Sequence, residues 1–284
     1  MSTLTVNEKF DENVTVIRPR RGWIAINWRE LWESRELLYF LMLRDIKVRY
    51  KQTVLGVAWA VLQPVLSMLV FTVIFGQLAK MPSEGFPYAI FVYTGLLPWT
   101  FFSTAVSTSS GSLVNQQALL TKIYLPRLFV PSSAIGSGMV DFAVSFVFFG
   151  CLMAYYGVMP GWGLLAVPAL VALTIVASLG VGLILAAVTV TYRDFRYVVP
   201  FVVQLGLYIS PVGFPSSIVP EGWRLLYSLN PMVGVIDGFR WCILGGQHAL
   251  PFTDVLMSIS GVVVLVVSGL WYFRRTERFF ADMI

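Results

Sequence analysis

"RDIKVRYKQTVLGVAWAVLQPVL", residues 44–66, sets Arg44, Lys47, Arg49 and Lys51 around a single anion, Asp45, and then runs without a further charge into apolar sequence. No charge follows Lys51 until Lys80. That gap can hold a helix that crosses a hydrocarbon core of about 30 Å, which takes roughly 20 mostly apolar residues. A basic edge against an uncharged run is the pattern of a membrane span whose start is held at the cytoplasmic surface.

The same test extends along the chain. No charge lies between Glu84 and Lys122, between Arg196 and Glu221, or between Asp254 and Arg274, and residues 128–192 contain only Asp141. The glycines and proline of "YYGVMPGWG" (155–163) divide that last block. Six spans are expected, near 54–76, 88–110, 131–155, 164–189, 197–215 and 255–273. The chain of 284 residues is 57% hydrophobic and 12% charged, whereas a soluble domain is about a quarter charged. The first 22 residues are polar and basic without an apolar core, so they do not read as a secretory signal, and the first span is expected to serve as an uncleaved insertion signal. Ten Lys and Arg precede the first span, two lie between spans two and three, two between four and five, and three follow the sixth. Only Lys80, Arg224 and Arg240 fall on the other side. Both termini are therefore expected in the cytoplasm. The net charge of +5 is a topology signal and a poor argument for a nucleic-acid partner. Cys151 and Cys242 show no metal or disulfide spacing.

The expected organisation is a polar basic tail (1–26), an amphipathic interface segment with its basic stripe (27–52), a six-span all-α membrane domain (53–275) and a cytoplasmic tail (276–284). Asn27 and Glu30 resemble a helix N-cap pair, and Trp28, Leu31, Trp32, Leu38 and Met42 fall near one face. A helix lying in the cytoplasmic headgroup layer fits this pattern, and the alternative is a soluble helix packed on another protein. If helix continues through 44–52, Arg44, Lys47 and Lys51 line up at i, i+3 and i+7, while Asp45 precedes Arg49 by four. The stripe reads as an anchor gaining about 1 kcal/mol per cation from anionic lipid, or as a grip on a phosphate-bearing headgroup. "NQQALLTKIYLPR" (115–127) can make about two helical turns, and "TYRDFRY" (191–197) is a tight charged turn. "SPVGFP" (210–215) should break the fifth span before it leaves the membrane. Beyond it, two short helical patterns form an outer hairpin, the second placing Met232, Ile236, Phe239 and Ile243 on one side. The hairpin reads as re-entrant in the outer leaflet, or as a peripheral cap.

Chemistry-bearing residues are sparse. Asp141 would cost roughly 2.5 to 3.5 kcal/mol at a helix centre, so it should face helices or water, either as a contact to Ser137 or Ser145 or in a functional role. A proton relay would want a partner, and none is visible. The single histidine, His248, lies in the outer loop, no HExxH, CxxC or acidic pair occurs, and the dipeptide GK needed for a phosphate-binding loop is absent. Catalysis is disfavoured, and energy for any transport must come from elsewhere. Ser178, Gly182 and Ala186 recur every four residues as a packing seam. Most aromatics read as lipid-facing or interfacial. Trp59, Tyr93, Trp99, Phe101 and Tyr208 sit beside small or polar residues, where rings could line a path and stack on sugar faces.

Five stretches in order then carry a resemblance: "LRDIKVRYKQTVLGVAWAVLQPVLSMLVFTVIFG" (43–76), "PYAIFVYTGLLPWTFFS" (87–103), "LLTKIYLPR" (119–127), "YRDFRYVVPFVVQLGLYISPV" (192–212) and "LNPMVGVIDGFR" (229–240). From about residue 30 to 275 the chain resembles the permease subunit of bacterial ABC exporters for O-antigen, capsular polysaccharide and teichoic acid. The resemblance implies an inner-membrane homodimer around a wide channel, joined by two copies of a separate ATPase that binds ATP and Mg. It implies a coupling helix at 115–124, with Asn115, Gln116, Gln117, Leu120, Lys122 and Tyr124, and a second contact at Arg193, Asp194 and Arg196. Gate helices are implied at 219–229 and 231–244, carrying Trp223, Tyr227, Met232, Ile236 and Phe239. The cargo it implies is a sugar polymer on an undecaprenyl diphosphate anchor, a ligand for Arg44, Lys47, Arg49 and Lys51. Rival readings are an exporter permease for another lipid or hydrophobic molecule, and a membrane glycosyltransferase or acyltransferase, which would need acidic or histidine residues at the leaflet boundary.

Overall fold

The computed structural model describes residues 28–51, 56–123, 125–245, 252–278 and 280. Among these, five helices are long and apolar enough to cross a membrane: Ala58–Leu78, Tyr88–Asn115, Phe129–Tyr156, Trp162–Thr191 and Thr253–Glu277. The chain is a multi-pass membrane protein, all-helical with no strand among the described residues. We label the helices α1 (Trp28–Glu33), α2 (Arg35–Lys51), α3 (Ala58–Phe71), α4 (Tyr88–Asn115), α5 (Gln117–Leu120), α6 (Phe129–Tyr156), α7 (Val167–Thr191), α8 (Phe195–Ile209), α9 (Glu221–Ser228), α10 (Pro231–Leu244) and α11 (Phe252–Glu277). α3 continues as π-helix through Leu78, and a 3-10 turn at Trp162–Ala166 leads into α7.

The expected second, third, fourth and sixth spans are all present, within longer helices. The break at 155–163 is also there: Gly157 closes α6 at φ 67°, a left-handed conformation that costs glycine nothing. The fifth expected span, 197–215, is not a full helix. α8 ends at Ile209, and 15 residues rise only about 22 Å. Ser210 turns extended, as the prolines and glycine of 210–215 require. The expected Ser178–Gly182–Ala186 seam is buried, and a Cβ at Gly182 would come within 2.6 Å of the Ser109 hydroxyl.

α4 is the axis of the bundle, with 83% of its apolar window buried. Most of its Ser and Thr hydroxyls donate to a carbonyl of their own helix, as Thr94 does to Ile90, Thr108 to Thr104 and Ser112 to Ser109, whereas the buried Ser109 hydroxyl has no partner among the described residues. α6 and α7 flank it, and α11 packs on α7. The α7–α11 approach is tightest at two glycines, where a Cβ on Gly180 would stand 2.8 Å from the Leu265 carbonyl carbon and one on Gly269 would stand 2.5 Å from the Gly180 oxygen.

One end of the bundle gathers the basic segments. Leu41 of α2, Leu113 of α4, Leu128 and Phe129, Val190 of α7 and Phe273 and Phe280 form one apolar cluster, and Arg127 donates to the Glu277 carbonyl. The opposite end holds α9 and α10. The interface segment also departs from expectation: α2 packs along α6, with Met42 against Gly136. Trp32 is 71% exposed. The helix is therefore a bundle element as well as a surface one.

Because no side chain fits between Gly180 and Gly269, Gly269→Leu must force α11 away from α7, an overpacking cost of about 1–3 kcal/mol or more. The expected outcome is a lower melting temperature in detergent and reduced membrane accumulation, with Gly269→Ala intermediate.

Candidate functional site

Midway along α4 and α6, the helices α2, α3, α4 and α6 enclose a cavity of about 550 Å³. Its floor is Thr100, Phe101 and Thr104 of α4 with Gly138, Phe142 and Ser145 of α6, and its wall is Trp59, Ala60, Gln63 and Pro64 of α3. Arg49, Tyr50 and Asp141 line it from α2 and α6. Arg49 Nη1 donates to Asp141 Oδ2 at 2.5 Å, and the Tyr50 hydroxyl donates to Asp141 Oδ1. Burial and then the bond to Asp141 push the Tyr50 phenol well above its ordinary pKa, so it stays a neutral donor.

These contacts correct two expectations. Asp141 does not bond Ser137 or Ser145, whose hydroxyls donate to the carbonyls of Ala134 and Ala60. Its partners come from 91 and 92 residues earlier in the chain. Asp45 does not pair with Arg49 either: it accepts from Arg44 at 2.8 Å and from the Ser133 hydroxyl at 3.1 Å. Of the four cations expected to meet a headgroup, Arg44 and Arg49 are thus held in ion pairs at the surface of the bundle. Lys47 and Lys51 are exposed, without a partner among the described residues.

The aromatic set divides. Trp59, 51% exposed, and Phe101 line the cavity, and Tyr208 is exposed on α8. Tyr93 and Trp99 are core residues: Tyr93 is fully buried and stacked on Phe149, and Trp99 fills the space beside Gly206, where a Cβ would meet its ring at 2.7 Å.

The segment expected as one coupling helix is divided. Asn115 ends α4, Gln116 breaks the helix, and α5 from Gln117 to Leu120 is a single turn. Lys122 is exposed in the following turn, and Tyr124 lies outside the described residues, as does His248. Arg193, Asp194 and Arg196 are exposed together in the α7–α8 turn at the same end.

At the opposite end the expected hairpin is α9 and α10. Asn230 caps α10 by accepting from Met232 N at 3.0 Å. Met232, Ile236, Phe239 and Ile243 are all buried, enclosed by α4, α7, α11 and the 162–166 turn. Trp223 is 66% exposed on α9, and Tyr227 is half-buried. The chemistry of this end was not anticipated. Arg240, 5% exposed, donates to the carbonyls of Val212 at 2.8 Å and Phe214 at 3.2 Å, lies 3.8 Å from the Phe91 ring centroid, and pairs with Asp237 at 3.6 Å. Asp254, also buried, accepts from Arg224 and the Ser228 hydroxyl and ties α9 to α11. The signal was present as an Asp-x-x-Arg pair inside an apolar segment, counted only as loop charge. Burial pushes the Asp237 carboxyl up to about 6, with Asp254 and Glu84 adding to the shift and Arg240 and the Ser216 hydroxyl opposing it.

A carboxyl with a raised folded pKa favours the folded state when protonated, so stability should fall as pH rises through about 6. Melting temperatures from pH 5 to 7.5 should decline in the parent protein and decline less in Asp237→Asn. Arg240→Met leaves Asp237 without its counter-charge and two carbonyls without donors, and should cost about 3–5 kcal/mol. Combined Asp237→Asn and Arg240→Met should recover part of that loss.

The family model for the ABC-2 type transporter matches residues 36–244. The O-antigen export system permease protein RfbA of Myxococcus xanthus is 33% identical over 90% of this chain and 98% of its own length. Its namesake from Klebsiella pneumoniae is 25% identical over 88% of this chain and 95% of its own. The polysialic acid transport protein KpsM of Escherichia coli is 27% identical over 84% of this chain and 92% of its own.

Proposed function

The chain belongs to the ABC-2 type transporter family, and from that premise we propose that it is the membrane subunit of an exporter for lipid-linked polysaccharide, driven by a separate ATPase. The observation that carries the reading is the cavity beside the basic edge. An anionic headgroup needs cations at the membrane surface and a partly polar recess next to them, and Lys47, Lys51 and the Arg49 mouth supply both. Trp59 and Phe101 offer ring faces for the adjoining sugar. The first bound species is then an undecaprenyl diphosphate or a related lipid diphosphate.

Six crossings fit this reading. α8 begins at the basic end, and the turns of 210–215 carry the chain on to Arg240 and to Tyr88, whose hydroxyl donates to the Gly213 carbonyl. Both termini then share the cytoplasmic side with the turns at 116–123 and 192–196. Those turns expose Gln117, Lys122, Arg193, Asp194 and Arg196 as the docking surface for the ATPase, which binds ATP and Mg. α9 and α10 become a re-entrant outer gate.

A second copy of the chain is supported by α3 and α8. Their outer faces are apolar and exposed, yet Gln204 sits exposed on α8. An amide facing lipid is costly, and one facing a partner or a water-filled channel is not.

The test is charge reversal at the two unpaired cations. Lys47→Glu with Lys51→Glu, in cells that depend on this permease and its ATPase for surface polysaccharide, should cut surface polymer at least tenfold while protein level and topology hold. Normal display from that variant would reject headgroup capture at this edge.

A further inference from the structure

We propose that Asp141 is a competitor built into the cavity mouth: Arg49 is shared between Asp141 and the phosphate of a lipid diphosphate, so the carboxylate sets how readily the headgroup leaves. The inference rests on the headgroup reading above and concerns release rather than capture.

Arg49 and Asp141 are each a little over a quarter exposed, at 29% and 27%, so their pair sits at an opening rather than in a sealed core. A guanidinium carries five N–H donors in a rigid fork. Among the described residues one of these, on Nη1, goes to Asp141. The rest of the fork adjoins a recess of about 550 Å³, within the range of roughly 300–1,000 Å³ usual for small-ligand pockets. A phosphate reaching that fork would share one cation with a carboxylate, and two anions on one cation repel. The site is therefore attractive enough to fill and weak enough to empty, which conduction requires. Arg49 alone, beside Lys47 and Lys51, would hold the headgroup more tightly.

Tyr50 tunes the competition. Its hydroxyl occupies Asp141 Oδ1 and draws charge from the carboxylate that faces Arg49 through Oδ2. A purely structural ion pair gives the opposite expectation: loosening it by any substitution disorders the mouth and weakens binding. The sign of the effect separates the two.

The experiment uses the full chain in phosphatidylcholine nanodiscs, titrated with farnesyl diphosphate and, separately, with inorganic diphosphate. Asp141→Asn keeps the side-chain shape and removes the competing charge, so its Kd for farnesyl diphosphate should fall about fivefold, the upper scale of one partly exposed charge interaction. Arg49→Gln should raise Kd by a similar factor. Tyr50→Phe frees Oδ1, makes Asp141 the stronger competitor and should raise Kd a few-fold; this variant decides the matter if Asp141→Asn does not fold. An unchanged or higher Kd in folded Asp141→Asn, or no effect in Tyr50→Phe, overturns the proposal. Failure of the parent protein to bind farnesyl diphosphate at all would instead remove the headgroup reading itself. Inorganic diphosphate binding as tightly as farnesyl diphosphate would overturn the assignment of the anion to a lipid.

Discussion

The outer half of the molecule depends on one guanidinium. Where the chain breaks after Ile209, carbonyls are released from helix in surroundings that offer no water, and each must find a donor within the protein. Arg240 provides donors for two of them, at Val212 and Phe214, and lies over the Phe91 ring. A buried arginine requires a counter-charge, and Asp237 stands one helical turn away. With both groups fixed, α10 can occupy only the space between α4, α7 and α11. The hairpin's other helix is then tied down through Asp254, Arg224 and Ser228. The break after Ile209 and the buried helix α10 are thus one structural solution seen from two sides.

The two ends of the bundle use charge in opposite ways. At the outer end, Asp237, Arg240 and Asp254 are buried and paired, and Arg240 is also bonded to backbone. At the basic end, the cations are exposed or shared, and a recess opens beside them. This asymmetry fits the proposed export of an anionic cargo collected at the basic end. The turns at 116–123 and 192–196 present exposed polar side chains at that end, while Leu119 and Leu120 pack on its apolar cluster.

Most of the architecture was legible in the sequence because hydrocarbon punishes charge and broken backbone so heavily. Uncharged gaps located the spans, and the prolines and glycines at 155–163 and 210–215 located the breaks. What sequence could not show was pairing across long separations. Asp141 looked unpartnered because Arg49 and Tyr50 lie more than ninety residues before it, and the nearer carboxylate, Asp45, was the more economical partner on helical spacing. Tyr93 and Trp99 looked like path-lining rings because small residues surround them. In the folded chain those small residues, such as Gly206, are what allow the rings to be buried. The coupling segment read as one helix because nothing in "NQQALL" forbids it, yet the chain turns at Gln116.

Both charged centres border the same helix, α4, which carries Pro98 between them. Phe91, beneath Arg240, and Phe101, in the cavity floor, are ten positions apart on α4, about 15 Å along its axis. A second connection runs through side chains: Phe101 meets Phe142 edge-on at 5.7 Å, and Phe142 meets Phe239 edge-on at 6.5 Å, one residue before Arg240. Phe142 also borders a second, apolar cavity of about 470 Å³ lined by Phe146, Leu164, Val167 and Val171, so a ligand that displaces its ring from the first cavity has space to take it before Phe239 and α10 must move.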